Sequence, residues 1–178
     1  MRLQGRVALV TGATGDVGAA IAWALAQEGA KVVVTARGQS RLDALAAELQ
    51  AAGAQCVPVA ADLTREDEVQ GMVATVAERL GGIDILVNNA GTNVRKQPEE
   101  YALDEWQTII DTNLTSAFIA SQKVYSHMRR ATGGKIINIG SMMSIFGASF
   151  TVPYASSKGG IVQMTKGMAC AWAKDNVQ

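Results

Sequence analysis

The sequence predicts an α/β fold, a doubly wound parallel sheet with helices on both faces. Short runs rich in valine and isoleucine alternate with longer segments of helical period almost to the end of the chain, as in parallel strands joined by helices. The composition is 48% apolar and 18% charged, which supplies a core and excludes a disordered chain. A length of 178 residues suits one domain, and we expect residues 1–178 to form it.

The first strand and helix surround a glycine-rich turn. Residues 6–11 are the first predicted strand, and residues 16–28 have a helical period that places Val17, Ile21 and Leu25 on one face. Spacing by four residues aligns side chains along a helix. We therefore expect this helix to pack on the sheet through that face.

The second and third units repeat the pattern. The run KVVVTA at 31–36 predicts a strand, and the leucine stripe of 40–52 predicts a helix that ends at Gly53. A third strand is predicted at 55–60 and a helix at 66–80, where acidic residues in the first turn favour the helix dipole.

The remaining elements include the two longest helices. Strands are predicted at 83–88 and 135–139, and helices at 103–131 and 154–174. Phe118 follows the helical spacing of the first long helix, so we expect it in the core. All five strands then belong to one sheet with right-handed crossovers.

Charge and residue usage exclude several classes of protein. Sixteen Lys and Arg balance sixteen Asp and Glu, which argues against nucleic-acid binding. No apolar run reaches the length of a membrane span or signal peptide, so a cytoplasmic protein is expected. Cys56, Cys170 and His127 lie too far apart in sequence for metal-ligand spacing. We expect no metal and two buried cysteines.

A glycine motif follows the first strand. In TGATGDVG, Gly12 permits a tight turn, Gly15 permits close approach of the backbone to a pyrophosphate, and Gly18 permits close packing of the helix. The helix N-terminus adds free N–H groups that bind anions. The motif predicts a dinucleotide site in a Rossmann-type sheet; the alternative is an ordinary glycine turn.

The second strand ends without an acidic residue. A carboxylate at this position accepts a hydrogen bond from the ribose 2′-hydroxyl of NAD, whereas this strand ends at Ala36-Arg37. Arg37, with help from Arg41, would pair with a 2′-phosphate. NADP is therefore favoured, NAD stays possible, and Arg37 is otherwise a solvated surface charge.

Several further motifs complete a pattern along the whole chain. They are Asp62 after the third strand, NNAG at 88–91, Asn113 in the long helix, Ser141 after the fifth strand, and Tyr154 and Lys158 four residues apart. With the glycine loop, this set resembles the single-domain branch of the short-chain dehydrogenases/reductases. In that family a serine commonly precedes the tyrosine by the thirteen residues seen here.

The resemblance implies a catalytic set of Asn113, Ser141, Tyr154 and Lys158. Tyr154 would exchange the substrate hydroxyl proton, Ser141 would hydrogen-bond the substrate oxygen, and Asn113 would hold a water that links Lys158 to solvent. Lys158 would also hold the nicotinamide ribose. An ammonium about 5 Å from a phenolate stabilises it by roughly 3 kcal/mol at an effective dielectric of about 20, which makes a tyrosinate accessible.

The cofactor-binding set comes from the glycine loop and from the same resemblance. We expect contacts from Gly12, Thr14, Gly15, Asp16, Val17, Gly18, Arg37, Asp62, Leu63, Asn89, Ala90, Gly91, Tyr154 and Lys158. Thr112 and Ile139 are left out of this set.

The chain departs from the family pattern at two places. The single-domain branch usually has glycine at the position of Asp16, whose carboxylate would oppose the cofactor phosphates unless it turns outward to cap the helix. Family members continue beyond the helix of Tyr154 and Lys158 into further strands and a substrate lid, none of which appears after Gln178, so either the sequence given or the molecule itself is truncated. If the molecule does end there, we expect an unpaired sheet edge and poor activity of the isolated 178-residue chain.

The expected function is hydride transfer between NADP(H) and a secondary alcohol or ketone. The segments SMMS and YASSKGG are similar to gluconate 5-dehydrogenases, and Arg95 with Lys96 would hold a carboxylate, which favours a sugar acid or polyol such as gluconate or ketogluconate. The alternatives are a 3-oxoacyl carrier-protein or tropinone-like ketone reductase, or a nucleotide-binding protein without turnover. The resemblance also implies a homodimer or homotetramer.

Overall fold

The computed structural model describes residues 1–131 and 133–178. The strands are β1 (Val7–Thr11), β2 (Lys31–Ala36), β3 (Cys56–Ala60), β4 (Ile85–Asn88) and β5 (Lys135–Asn138). The α-helices are α1 (Asp16–Gln27), α2 (Gln39–Ala51), α3 (Glu66–Leu80), α4 (Leu103–Ile110), α5 (Ser116–Arg130) and α6 (Val152–Trp172). Each predicted strand and helix segment is present, with ends shifted by a few residues.

The five strands form one parallel sheet in the order β3-β2-β1-β4-β5. This confirms the predicted doubly wound α/β sheet. The chain first builds outward from β1 through β2 to β3, and then crosses to β4 on the other side of β1. The order therefore reverses between β1 and β4, where such sheets open a crevice beyond the strand ends.

The side chains of β1 show how the two faces are filled. Val7 and Leu9 belong to the core cluster that contains residues of α3 and α5. Ala8 and Val10 belong to the opposite cluster, which contains residues of α1 and α2. Because successive strand residues point to opposite faces, an unbroken apolar strand is stable only when both faces are covered.

The predicted helix at 103–131 is wrong in one respect, because it is not regular. A π-helical turn at Asp111–Thr115 separates α4 from α5, and the N–H of Ser116 donates to the carbonyl of Asp111. Such turns insert an extra residue, and they occur often at functional sites. Here the turn contains Asn113, a predicted catalytic residue.

Two predicted core residues lie at the surface. Phe118 is 45% exposed, because its neighbours Ala117 and Ser121 take the buried face of α5. Cys170 is exposed, since the buried residues of α6 lie nearer its N-terminus. Cys56 is buried as expected, and burial raises the pKa of its thiol to about 11.

The outer edge of β5 is partly paired, so the expectation of a fully open edge is wrong. The N–H of Ile136 donates to the carbonyl of Gln178 at 2.8 Å, and the N–H of Gln178 donates to Gly134 at 3.0 Å. Gly134 and Val177 form a parallel bridge. A short turn after α6 returns the chain to the sheet, which a reading based on helical period does not predict.

Candidate active site

A cleft of about 650 Å³ lies beyond the carboxyl ends of the strands. Every residue of the predicted cofactor-binding set lines it. These residues come from the ends of four strands, from the first turn of α1 and from the first two turns of α6. They meet because parallel strands direct all their carboxyl ends to one edge of the sheet.

The glycine loop forms one end of the cleft. Gly12 has a φ of +61°, and a Cβ there would lie 2.7 Å from the Cα of Ala90. A Cβ at Gly18 would lie 2.3 Å from the carbonyl oxygen of Gly12. Gly15, the exposed N-cap residue of α1, leaves the helix N-terminus open to the cleft. The predicted close packing at Gly18 is therefore against the loop itself.

Asp16 does not cap α1. The N-cap is Gly15, and Asp16 is the first helical residue, exposed and in the wall of the cleft. The expectation that its carboxylate could turn outward as a cap is wrong. The carboxylate is favoured by the helix dipole, at the same N-terminus that would attract a diphosphate.

The NNAG segment supports the glycine loop from the neighbouring strand. The amide nitrogen of Asn89 donates to the carbonyls of Thr11 at 3.0 Å and Gly12 at 3.2 Å. The hydroxyl of Thr11 accepts from the N–H groups of Asn89 and Ala90, and it donates to Val87. Thr11 is a supporting residue that the sequence analysis did not single out.

Basic and acidic groups lie beside the glycine loop, after β2 and β3. Arg37 and Arg41 both line the cleft, and Arg41 donates to the hydroxyl of Thr14 at 3.4 Å. Hydrogen bonds from Thr64 lower the pKa of the Asp62 carboxyl, and the guanidinium of Arg37 lowers it further. Two cations with no acidic residue at the end of β2 suit a phosphate group.

Tyr154 and Lys158 occupy one turn of α6 and line the cleft together. The Nζ of Lys158 lies 5.8 Å from the centroid of the Tyr154 ring. Lys158 is only 5% exposed, and burial lowers the pKa of its ammonium. The spacing of four residues thus places a cation beside a phenol.

Asn113 is buried behind the cleft rather than in its wall. Its Oδ1 accepts from the N–H of Thr92 at 2.7 Å, and its Nδ2 donates to the carbonyl of Thr92 and the hydroxyl of Ser157. Both amide protons are therefore used by protein groups. The expected role in holding a water would fall to the remaining acceptor capacity of Asn113.

Ser141 lies just beyond the cleft, at the start of a short 3₁₀ turn, Met142–Ser144. Its hydroxyl accepts from the N–H of Met143 at 3.2 Å. Accepting that bond leaves the hydroxyl proton available to donate to another oxygen. This is the bond that the expected role of Ser141 requires.

Arg95 and Lys96, predicted as a cationic pair, differ in their partners. The ammonium of Lys96 contacts both carboxylate oxygens of Glu105, at 2.6 and 2.8 Å. The exposed guanidinium of Arg95 lies over the ring of Phe150 at 5.6 Å. Lys96 is neutralised by its ion pair, whereas Arg95 forms no ion pair among the described residues, and neither side chain lines the cleft.

Some residues in the cleft wall were not predicted from the sequence. They include Thr92, Asn93, Ser116 and Gly140, together with Thr112 and Ile139. Most of them follow a strand end or belong to the π-helical turn. The loop residues could have been predicted from their position after β4 and β5. Nothing in the sequence marked the residues of the π-helical turn.

Comparison with known proteins identifies the family. The model for short chain dehydrogenases matches residues 6–178. The chain belongs to the short-chain dehydrogenase/reductase family. It is thus an NAD(P)-dependent oxidoreductase.

No helix in the described ranges, 1–131 and 133–178, combines the length and apolar character needed to cross a membrane.

Relatives in this family include sugar-acid enzymes. The chain is 39% identical over 177 residues to a 2-dehydro-3-deoxy-D-gluconate 5-dehydrogenase of Formosa agariphila, covering 99% of this chain and 67% of that protein. It is 34% identical over 175 residues to a 3-oxoacyl-[acyl-carrier-protein] reductase of Thermotoga maritima, covering 98% and 70%.

A solved structure extends the comparison. A gluconate 5-dehydrogenase from Burkholderia cenocepacia, crystallised with NADP and tartrate, is 35% identical. Its TM-score is 0.96, with 99% of this chain and 69% of that chain covered. The chain therefore spans about two thirds of the length of these three proteins.

Proposed function

We propose that this short-chain dehydrogenase/reductase transfers a hydride between NADP(H) and a secondary alcohol or ketone, with residues 1–178 acting as one dinucleotide-binding and catalytic domain. The observation that carries the proposal is the shared cleft: Tyr154 and Lys158 line the same cavity as the glycine loop. A phenol and an ammonium are thereby aligned with a site for a diphosphate.

The cleft fits NADP through the glycine loop and through the loops after β2 and β3. Gly12 and Gly18 allow the glycine loop to pack tightly on itself and on the loop after β4, and the exposed Gly15 leaves the N-terminus of α1 open to a diphosphate. Arg37 and Arg41 would hold the 2′-phosphate, and Asp62 with Leu63 would hold the adenine. NADP in the Burkholderia relative supports this preference.

Tyr154, Ser141 and Lys158 have different roles at the reacting oxygen atom of the substrate. When bound, the nicotinamide supplies a hydride to the carbonyl carbon, or removes one from the carbinol carbon. In reduction, Tyr154 gives its proton to the substrate oxygen while Ser141 hydrogen-bonds that oxygen. In oxidation, Tyr154 takes the hydroxyl proton. The buried ammonium of Lys158 stabilises the phenolate that remains after the proton leaves.

A sugar acid such as ketogluconate is the substrate class we favour. The Formosa and Burkholderia relatives act in sugar-acid chemistry by their names. In this chain the exposed guanidinium of Arg95 lies over the ring of Phe150. Phe150 is two residues before the start of α6, the helix that carries Tyr154. A guanidinium binds a carboxylate through two parallel hydrogen bonds, so Arg95 would hold the acid group.

An apolar acyl substrate is the second candidate. Met142, Ile145 and Phe146 follow Ser141, and they are 71%, 81% and 58% exposed. Such a patch beside a reactive site suits an acyl chain, and the Thermotoga relative is a 3-oxoacyl carrier-protein reductase.

Self-association is part of the proposal. The family resemblance implies that the long helix and the helix of Tyr154 and Lys158 pack against partner copies, and Phe118 of α5 is 45% exposed on the first of these. We expect a homodimer or homotetramer, which sedimentation would measure.

The test compares the parent chain with Tyr154→Phe. Each is given NADPH or NADH together with 5-ketogluconate, an acetoacetyl thioester or tropinone, and cofactor oxidation is followed by absorbance. The parent should oxidise NADPH with 5-ketogluconate, and the variant should bind NADPH equally well with at least about 100-fold slower turnover. Equal turnover would remove Tyr154 from the chemistry, while cofactor binding without turnover, even by a chain extended through the C-terminal segment of the family, would favour a nucleotide-binding protein.

A further inference from the structure

The hydroxyl of Ser144 connects two residues of the proposed catalytic set. It accepts from the N–H of Ser141 at 3.1 Å and donates to the carbonyl of Lys158 at 2.8 Å. Ser144 ends the 3₁₀ turn that follows β5. One side chain thus ties the loop carrying Ser141 to the helix carrying Lys158.

A second hydroxyl, that of Ser157, connects the same helix to the loop after β4. Ser157 is fully buried, accepts from Asn113 at 3.1 Å and donates to the carbonyl of Tyr154 at 2.7 Å. Asn113 is in turn fixed by its two hydrogen bonds to Thr92. The helix turn that carries Tyr154 is therefore tied to a loop that lines the cleft.

The hydrogen bonds of Ser144 and Ser157 connect one turn of α6 to two different loops. The positions of the loops after β4 and β5 are set by the sheet, and the hydroxyls transmit those positions to the first half of α6. Neither serine is in the wall of the cleft formed by the described residues. Ser144 and Ser157 instead contact residues of the proposed catalytic set. They would therefore act through those residues and not by touching substrate or cofactor.

We propose that Ser144 and Ser157 are positioning residues that hold the turn from Tyr154 to Lys158 in register with Ser141 and Asn113. The inference rests on the proposed function. Reaction rates are sensitive to geometry, and a displacement of about 1 Å costs up to roughly 100-fold. Removing either hydroxyl breaks one of these links while the bond from Lys158 to Ile139 and the packing of α6 remain, so it should misplace the reacting groups by less than that.

The experiment measures turnover, KM and NADPH affinity for Ser144→Ala and Ser157→Ala, with 5-ketogluconate as substrate. We expect kcat to fall about tenfold, with the dissociation constant of NADPH changed less than about twofold. Ser144→Thr keeps the hydroxyl and should restore most of kcat. The matched control is Ser156→Ala, because Ser156 is an exposed serine on the same helix, and it should behave as the parent.

The pH profile of alcohol oxidation provides a readout that a purely structural role would not move. If the ammonium of Lys158 is held less firmly beside Tyr154, the acid limb of the profile moves to higher pH. Thermal melting checks that each variant is folded. Should Ser157→Ala fail to fold, Ser157→Cys keeps a similar volume with a weaker hydrogen-bond donor and replaces it in the comparison.

Three results would overturn the inference. These are parent-like kcat in both alanine variants, a loss confined to NADPH binding, and a Ser144→Thr variant no better than Ser144→Ala. Failure of the proposed function has a different signature, since Tyr154→Phe would then be as active as the parent. An inactive Tyr154→Phe beside fully active serine variants would remove the positioning role alone.

Discussion

The ammonium of Lys158 donates a 2.6 Å hydrogen bond to the carbonyl oxygen of Ile139, the residue that follows β5. This bond joins α6 to the end of β5 and satisfies one donor of a side chain that is only 5% exposed. The remaining protons of the ammonium are available toward the cleft. A buried charge held in this way still loses hydration, which is why burial lowers its pKa.

The first prediction follows from that lowered pKa. At pH values between the lowered pKa of Lys158 and its ordinary pKa of 10.5, the unfolded chain binds more protons than the folded chain. The free energy of unfolding therefore rises with pH in this range. Lys158→Met should abolish this rise and also slow hydride transfer by about 100-fold or more. Urea denaturation at about pH 8 and about pH 10 measures the slope.

Lys166→Met is the matched control for that experiment. Lys166 is exposed on the same helix, so its removal should leave both the slope and the turnover as in the parent. An identical pH dependence of stability in the parent and Lys158→Met would contradict the prediction.

Cofactor choice should depend on Arg37. A charge-assisted hydrogen bond contributes about 1.5–3 kcal/mol, so Arg37→Ala should weaken NADPH about tenfold or more and leave NADH little changed. Fluorescence titration with both cofactors measures the ratio. Arg79→Ala, in the last turn of α3, is the control and should change neither. Equal weakening of the two cofactors would show that Arg37 does not contact the 2′-phosphate.

Asp16 should limit cofactor affinity. Its carboxylate lines the cleft at the N-terminus of α1, so Asp16→Asn should tighten NADPH about fivefold, or about 1 kcal/mol, by removing like-charge repulsion. Loss of the dipole interaction should lower stability by about 0.3–1 kcal/mol. Asp43→Asn changes the net charge equally on exposed α2 surface. If both variants tighten NADPH alike, a general charge effect is responsible.

Substrate charge should be recognised by Arg95 and not by Lys96. Arg95→Ala should raise KM for 5-ketogluconate about tenfold and change KM for tropinone little, because the lost bond is to a carboxylate. Lys96→Ala should leave KM unchanged, since its ammonium is already paired with Glu105. Steady-state kinetics with both ketones tests this. A rise in KM for Lys96→Ala, or an equal rise for both substrates with Arg95→Ala, would contradict it.

The sequence alone predicted the sheet, its helices and many of the residues that line the cleft. Strands such as KVVVTA are apolar on both faces, and the stripe on α2 has a clear helical period, so both patterns are local. The glycine motif and the Tyr154–Lys158 pair are local as well. Once the strands were identified as parallel, their carboxyl ends had to meet, which brought Asp62 and Asn89 into one cleft.

Tertiary structure alone decided the contacts between distant parts of the chain. The pairing of Lys96 with Glu105 and the hydroxyl links of Ser144 and Ser157 join residues from different parts of the chain. The π-helical turn around Asn113 is local, but it too was seen only in the structure. Periodicity describes which face of an element is apolar, but it carries no information on which polar group lies opposite. That choice depends on the packing of helices and loops on the finished sheet, because a buried polar group is stable only with a partner.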